Sequence, residues 1–158
     1  MQNQVKILLE EGGRLPVLAS KGAIAYDLYC PKNTIIKTGR QVVPLNFRIE
    51  IPEGFEGKIE PRSGFTVKGF EGHALSDTEC KLETHRFDAD VYTGKIDSDY
   101  RGIVGVLVVN RDHPFILSEG TRFAQLSFYK VLLPELLEVS ELSSTERADG
   151  GFGHSGTH

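Results

Sequence analysis

Leu45-Asn46-Phe47-Arg48-Ile49-Glu50-Ile51 alternates without a break between large apolar and polar side chains. Successive side chains of an extended chain point to opposite faces. This period of two therefore puts Leu45, Phe47, Ile49 and Ile51 on one face and Asn46, Arg48 and Glu50 on the other. The stretch reads as a half-buried strand, ended by Pro52-Glu53-Gly54, where a fixed proline φ and a permissive glycine make a turn. Outward from it, further short strands fall at residues 5–9, 23–29, 34–37, 57–60, 103–109, 115–117 and 122–131, each bounded by Gly, Pro, Asn or Asp. Many short strands separated by turn signals predict an all-β sandwich or barrel. Val104, Val106, Leu107 and Val108 read as a strand buried on both faces, and their β-branched content argues against helix. Helix is expected only for a turn or so after Ser63 and over part of 136–142. No internal repeat is present.

At 158 residues the chain has the size of one domain with a real core. Its net charge is −4, from 18 basic and 22 acidic residues without a long run of either sign, which excludes nonspecific nucleic-acid binding by a basic surface. The apolar residues near the start, Val5 and Ile7-Leu8-Leu9, make too short a stretch for a signal peptide or membrane span, so a soluble, intracellular protein is expected. Cys30 and Cys80 form no C-x-x-C pair and are expected as reduced thiols.

Residues 72–91 read differently. Asp77, Glu79, Lys81, Glu83, Arg86, Asp88 and Asp90 stand there among few apolar residues, which predicts an exposed loop or hairpin between strands. His73, Cys80 and His85 are soft or borderline metal ligands, but a fourth ligand and paired spacing are lacking, which argues against zinc. A loop that docks a partner is the better reading, although the sequence names no partner.

Five segments carry chemistry-bearing residues. Glu60-Pro61-Arg62-Ser63-Gly64 brings a guanidinium, a hydroxyl and helix-start amides together, a set suited to an anion such as phosphate. The competing reading is a turn with Ser63 as N-cap. Gly94-Lys95-Ile96-Asp97-Ser98-Asp99-Tyr100-Arg101-Gly102 places two carboxylates, a phenol and a guanidinium between glycines, and a suitably held carboxylate there can deprotonate a water. A hairpin without chemistry is the alternative. Gly120-Thr121-Arg122-Phe123-Ala124-Gln125-Leu126 begins a strand from which Gln125 can donate to phosphate. Ala25-Tyr26-Asp27-Leu28 is the weakest, since Asp27 also suits local backbone amides. Arg147-Ala148-Asp149-Gly150-Gly151-Phe152-Gly153-His154-Ser155-Gly156 is glycine-rich enough to stay mobile until a ligand offsets the ordering entropy. Phe152 offers a face for a base, and Arg147 a fork of donors for phosphate.

Taken in order, these segments resemble the motifs of the trimeric deoxyuridine triphosphatase (dUTPase) family over nearly the whole chain. The resemblance implies a distorted β jelly roll, or β-clip barrel, with one short helix. It implies a β-domain over 1–146 with an insertion at 72–91, a flexible arm over 147–158, and a homotrimer whose active sites are shared between subunits. It further implies cleavage of dUTP to dUMP and pyrophosphate by water attack at the α-phosphorus, with Mg²⁺ on the triphosphate. In that scheme Asp97 is the general base and Asp27 touches the metal through water. Arg62, Ser63, Gly64 and Gln125 hold the inner phosphates, and Arg147 with Ser155 the terminal one. Gly94 and Ile96 pair with uracil, Tyr100 lies under the deoxyribose, and Phe152 with Gly153 closes over the base. Ala148 departs from the family pattern, which has glycine after the arginine of the arm. Two other readings follow from the same residues: a dCTP deaminase-like enzyme of the same fold, and a nucleotide-gated binding protein acting through 72–91.

Overall fold

A computed structural model of the chain describes residues 4–150. Thirteen strands and one helix follow in order: β1 (Lys6–Leu9), β2 (Val17–Leu18), β3 (Tyr26–Tyr29), β4 (Thr34–Ile36), β5 (Gly39–Glu50), β6 (Phe55–Pro61), α1 (Ser63–Lys68), β7 (Phe70–Gly72), β8 (His85–Phe87), β9 (Ala89–Val91), β10 (Gly94–Ile96), β11 (Ile103–Asn110), β12 (Phe115–Leu117) and β13 (Arg122–Lys130). Two antiparallel sheets, ordered β1-β5-β11-β9 and β10-β6-β13-β3-β2, form the jelly roll, with the small pairs β12-β4 and β7-β8 beside them.

The alternating stretch behaves as its pattern dictates. Leu45, Phe47, Ile49 and Ile51 are all at most 2% exposed. Register pairs Arg48 with Ile103 and Pro44 with Gly105, so β5 advances four residues where β11 advances two. An even surplus leaves the inward and outward faces unchanged. The bulge is at Asn46, which adopts φ +55°, donates Nδ2 to the Glu11 carbonyl at 3.1 Å and accepts Glu10 N–H at 2.9 Å. Asparagine tolerates this left-handed backbone better than most residues.

β11 departs from its sequence reading. Val104, Val106 and Val108 are buried, but Ile103, Leu107 and Val109 on the other face are only half-buried. Nothing among the described residues covers that second face completely.

The other departure is in 72–91. Gly72, His73, Asp77, Phe87, Ala89 and Val91 are buried there, so the segment is partly core and not simply an exposed excursion. Phe87 stacks on Phe115 at 4.2 Å, and Phe70 meets Phe65, Phe115 and Phe123 edge-on at 4.9–6.3 Å. Full burial of each such ring stabilises by about 2–3 kcal/mol, enough to hold the β7–β8 hairpin against the domain. Gly72 permits the approach, since a Cβ there would run into the Phe115 ring. His73 and Ile116 exchange backbone hydrogen bonds at 2.8 Å. Asp77 accepts the amides of Lys81 and Leu82 at 3.0 and 2.9 Å and closes the exposed tip.

Residues 131–150 are almost wholly exposed and contain no helix, contrary to the expectation for 136–142. Leu132, Leu133, Leu136, Leu137 and Leu142 are each at least 80% exposed, and no core surface among the described residues receives them.

Candidate functional site

Strand register builds the first cleft. Gln125 on β13 stands opposite Asp27 on β3 and Glu60 on β6, so three polar side chains share one row of the sheet. Asp27 is buried. Its Oδ1 lies 3.1 Å from Arg62 Nε and its Oδ2 3.2 Å from Arg122 Nη1, and these two guanidinium groups compensate the desolvated carboxylate. Arg62 Nη1 also donates to the Arg122 carbonyl at 2.8 Å, and Gln125 Nε2 donates to the Pro61 carbonyl at 3.1 Å. Asp27, Arg62 and Gln125, with Ser63 and Gly64, line a cleft of about 700 Å³.

Ser63 does not cap α1. Arg62 is the N-cap, in extended conformation and without a side-chain cap bond, and Ser63 is the first helical residue with its side chain exposed. The helix stops at Gly69, whose φ of +76° no other residue adopts easily, and whose N–H closes on the Phe65 carbonyl.

A second cleft, about 250 Å³, is lined by Gly94, Ile96, Asp97, Tyr100 and residues of β11. β10 is an edge strand bonded only to β6 among the described strands, so one edge of its backbone faces outward. Asp97 is exposed, and its carbonyl accepts Tyr100 N–H at 3.1 Å in the turn that follows. The Tyr100 hydroxyl donates to the Ile103 carbonyl at 3.0 Å and lies across Gly102, where a Cβ would strike the ring. Arg101 turns back on its own loop, donating to the carbonyls of Ser98 and Tyr100 at 2.7 and 2.9 Å.

The structure thus brings Asp27, Arg62, Ser63, Gly64 and Gln125 together. It brings Gly94, Ile96, Asp97 and Tyr100 together separately. Arg147 lies in neither cleft; it is exposed, and its Nε donates to the Gly150 carbonyl at 2.8 Å. Phe152, Gly153 and Ser155 lie outside the described residues. Arg122 is the residue that sequence reasoning left without a role. It stands two residues before Ala124 in a quoted motif, but its tie to Asp27 depends on the pairing of β3 with β13.

His73 Nδ1 lies 2.9 Å from Asp77 Oδ2, close enough for an ion pair but off-line for a hydrogen bond. Among the described residues no three His, Cys, Asp or Glu side chains gather to hold a metal. Both thiols are free, and burial raises Cys30 above the ordinary cysteine range despite bonds to Thr34 and Lys32. No described helix is long and apolar enough to cross a membrane.

Comparison with known proteins agrees with this geometry. A family model described as dUTPase matches residues 12–85 and 83–156. The deoxyuridine 5'-triphosphate nucleotidohydrolase of Hydrogenobaculum is 36% identical over 94% of both chains, and that of monkeypox virus is 36% identical over 89% of this chain and 82% of its own. Among solved structures, a Staphylococcus bacteriophage 80alpha dUTPase variant with dUpNHpp superposes with a TM-score of 0.78 at 24% identity, covering 98% of this chain and 99% of its own. A phage phi11 dUTPase variant, described as revealing the coordination of a structural Mg(II) ion, gives 0.70 at 23% identity, covering 88% and 98%. The chain belongs to the dUTPase family.

Proposed function

We propose that this chain hydrolyses dUTP to dUMP and pyrophosphate by attack of water on the α-phosphorus, with Asp97 as the general base. The observation that carries the reading concerns two glycines. A Cβ at Gly64 or Gly94 would meet nothing within 4 Å, and neither residue has positive φ. A glycine in a helix or strand costs about 0.5–1 kcal/mol relative to alanine, and packing among the described residues requires it at neither place. Close approach of a ligand explains both: phosphate at Gly64, a pyrimidine at Gly94.

The chemistry follows the residues. Arg62, Ser63 and Gln125 direct donors at the inner phosphates, where charge accumulates as the pyrophosphate departs. The outer backbone edge of β10, from Gly94 to Ile96, pairs with the uracil edge, and amides left unpaired by the wrong base discriminate more strongly than contact with one methyl. Tyr100, pinned through its hydroxyl to Ile103, presents its ring to the deoxyribose. Arg147 with Ser155 holds the terminal phosphate, while Phe152 and Gly153 close over the base and exclude water.

Magnesium suits this donor set. Both oxygens of Asp27 already face guanidinium groups, so the residue offers contact through water in place of a direct bond. A cation that keeps its waters and binds phosphate oxygens needs no more. When bound, Mg²⁺ would neutralise phosphate charge as the bond breaks.

A homotrimer with shared sites accounts for what the single chain leaves incomplete. The phosphate cleft and the Asp97 cleft are separate on one chain, and apposition of copies would join them. The half-buried face of β11 and the exposed leucines of 131–150 supply apolar surface for such contacts. Asp97, exposed in one chain, would then be desolvated by its neighbours. Pyrophosphate release from a panel of dUTP, dTTP, dCTP and UTP with Mg²⁺, alongside the mass of the assembly in solution, tests the reading. Release confined to dUTP by a trimer is expected; turnover of dCTP with ammonia release instead would reverse it.

A further inference from the structure

The β7–β8 hairpin carries a guanidinium to the wall of the phosphate cleft that none of the sequence motifs supplies. Arg86 and Glu71 are register partners in that hairpin. Arg86 Nη2 lies 2.7 Å from Glu71 Oε2, and Nη1 donates to the Gly69 carbonyl at 3.2 Å. Both side chains line the same cleft as Asp27, Arg62 and Gln125, and so does Lys68 from the last turn of α1. Lys68 has no ion-pair partner among the described residues.

Charge balance decides what these groups can do. Arg62 is already committed in part to Asp27. The remaining cations of the cleft wall are Lys68 and Arg86, and only Glu71 holds Arg86 in check. Both members of that pair are nearly half exposed, at 47% and 46%, and exposed ion pairs of this kind contribute little. A multiply charged phosphate arriving in the cleft is a stronger partner for the guanidinium than one carboxylate.

We propose that Arg86, with Lys68 beside it, forms an outer phosphate subsite. There the guanidinium exchanges Glu71 for an oxyanion at the far end of the triphosphate or of the pyrophosphate product. Glu71 acts as the competing internal anion that sets the affinity. The inference rests on the reading of this cleft as the triphosphate site.

Calorimetric binding of inorganic pyrophosphate, in Mg²⁺, to the wild-type chain and to Arg86→Gln, Glu71→Gln and the double variant tests it without turnover. Arg86→Gln should weaken pyrophosphate about three- to tenfold, the effect of one charge-assisted contact at a wet site. Glu71→Gln should tighten it by about threefold, and that gain should vanish on the Arg86→Gln background because the two act through each other. Binding of dUMP, which lacks the outer phosphates, should not change, and melting temperatures should stay level. Equal pyrophosphate affinity in wild type and Arg86→Gln would overturn the subsite. So would a Glu71→Gln gain that survives in the double variant, because it would then reflect removal of a negative charge alone. A wild-type chain that binds pyrophosphate through Arg86 yet leaves dUTP intact would uphold the subsite and refute the proposed hydrolysis.

Discussion

Arg122 donates to Asp27 Oδ2 at 3.2 Å through its side chain and accepts from Arg62 at 2.8 Å through its carbonyl. One residue thus fixes two others that line the larger cleft, and it does so from the strand that also carries Gln125. Arg122→Met keeps the aliphatic stem but removes the charge. Asp27 then retains a single guanidinium partner. Because the Arg122 side chain is about half exposed, the expected loss of stability falls below the usual range for bonds to charged groups, at about 1 kcal/mol. The kinetic loss should be larger, roughly tenfold in kcat/KM, because both Asp27 and Arg62 lose their orientation. Thermal melts and initial rates on the same preparation separate the two effects.

Gly94 and Gly72 make a matched pair. At Gly94 a Cβ finds open space; at Gly72 it collides with the Phe115 ring and the Ile116 carbonyl. Gly94→Ala should therefore melt at or slightly above the wild-type temperature while raising KM for dUTP about tenfold, because the methyl occupies space assigned to the base. Gly72→Ala should do the reverse, losing about 1–3 kcal/mol through overpacking with KM little changed in the folded fraction. A destabilised Gly94→Ala with normal KM would show that this glycine serves the fold.

Asp77 sets a pH dependence. Burial raises its carboxyl, but the amides of Leu82 and Lys81 and the nearby His73 outweigh burial and hold it below the usual aspartate value. The native state therefore takes up this proton less readily than the unfolded chain. The stabilisation is present above the unfolded pKa, about 4, and is lost as pH falls through the lower native value. Asp77→Asn should lower the melting temperature at neutral pH, and the gap from wild type should close below about pH 4. A gap that stays constant down to pH 2 would contradict this role.

Ala148 adopts φ +45° in a turn where its N–H reaches the Thr145 carbonyl and hydroxyl, both at 3.2 Å. A left-handed alanine costs about 1–2 kcal/mol, whereas the extra backbone freedom of glycine costs about 0.5–1 kcal/mol on ordering. Strain relief is the larger effect. Ala148→Gly should therefore favour the turn and raise kcat/KM by up to about fivefold, read in steady-state assays. A decrease would show that the backbone restriction imposed by the alanine matters more.

The sequence showed the sheets better than it showed the hairpin. Long alternation at Leu45 to Ile51 needs only the pleat to be interpreted, and its buried face followed. Residues 72–91 were obscured by their charge count, although Phe87-Asp88-Ala89-Asp90-Val91 alternates with period two and contains the buried set Phe87, Ala89 and Val91. β2 is two residues long, too short for any periodicity. The spacing of Leu136, Leu137, Val139 and Leu142 resembles a helical stripe, yet a stripe with no surface to cover does not nucleate a helix. The motif residues were legible as types and order. Their division into two clefts was not, because Asp27, Arg62 and Gln125 meet only through the register of β3, β6 and β13.

We propose that Asp97 removes a proton from the water that attacks dUTP. Pyrophosphate release from dUTP with Mg²⁺, compared between wild type and Asp97→Asn at equal nucleotide occupancy, tests it most directly. The amide is isosteric but a far weaker base, so binding should persist while kcat falls by about 100-fold or more. An Asp97→Asn chain that binds dUTP and releases pyrophosphate at close to the wild-type rate would contradict the claim.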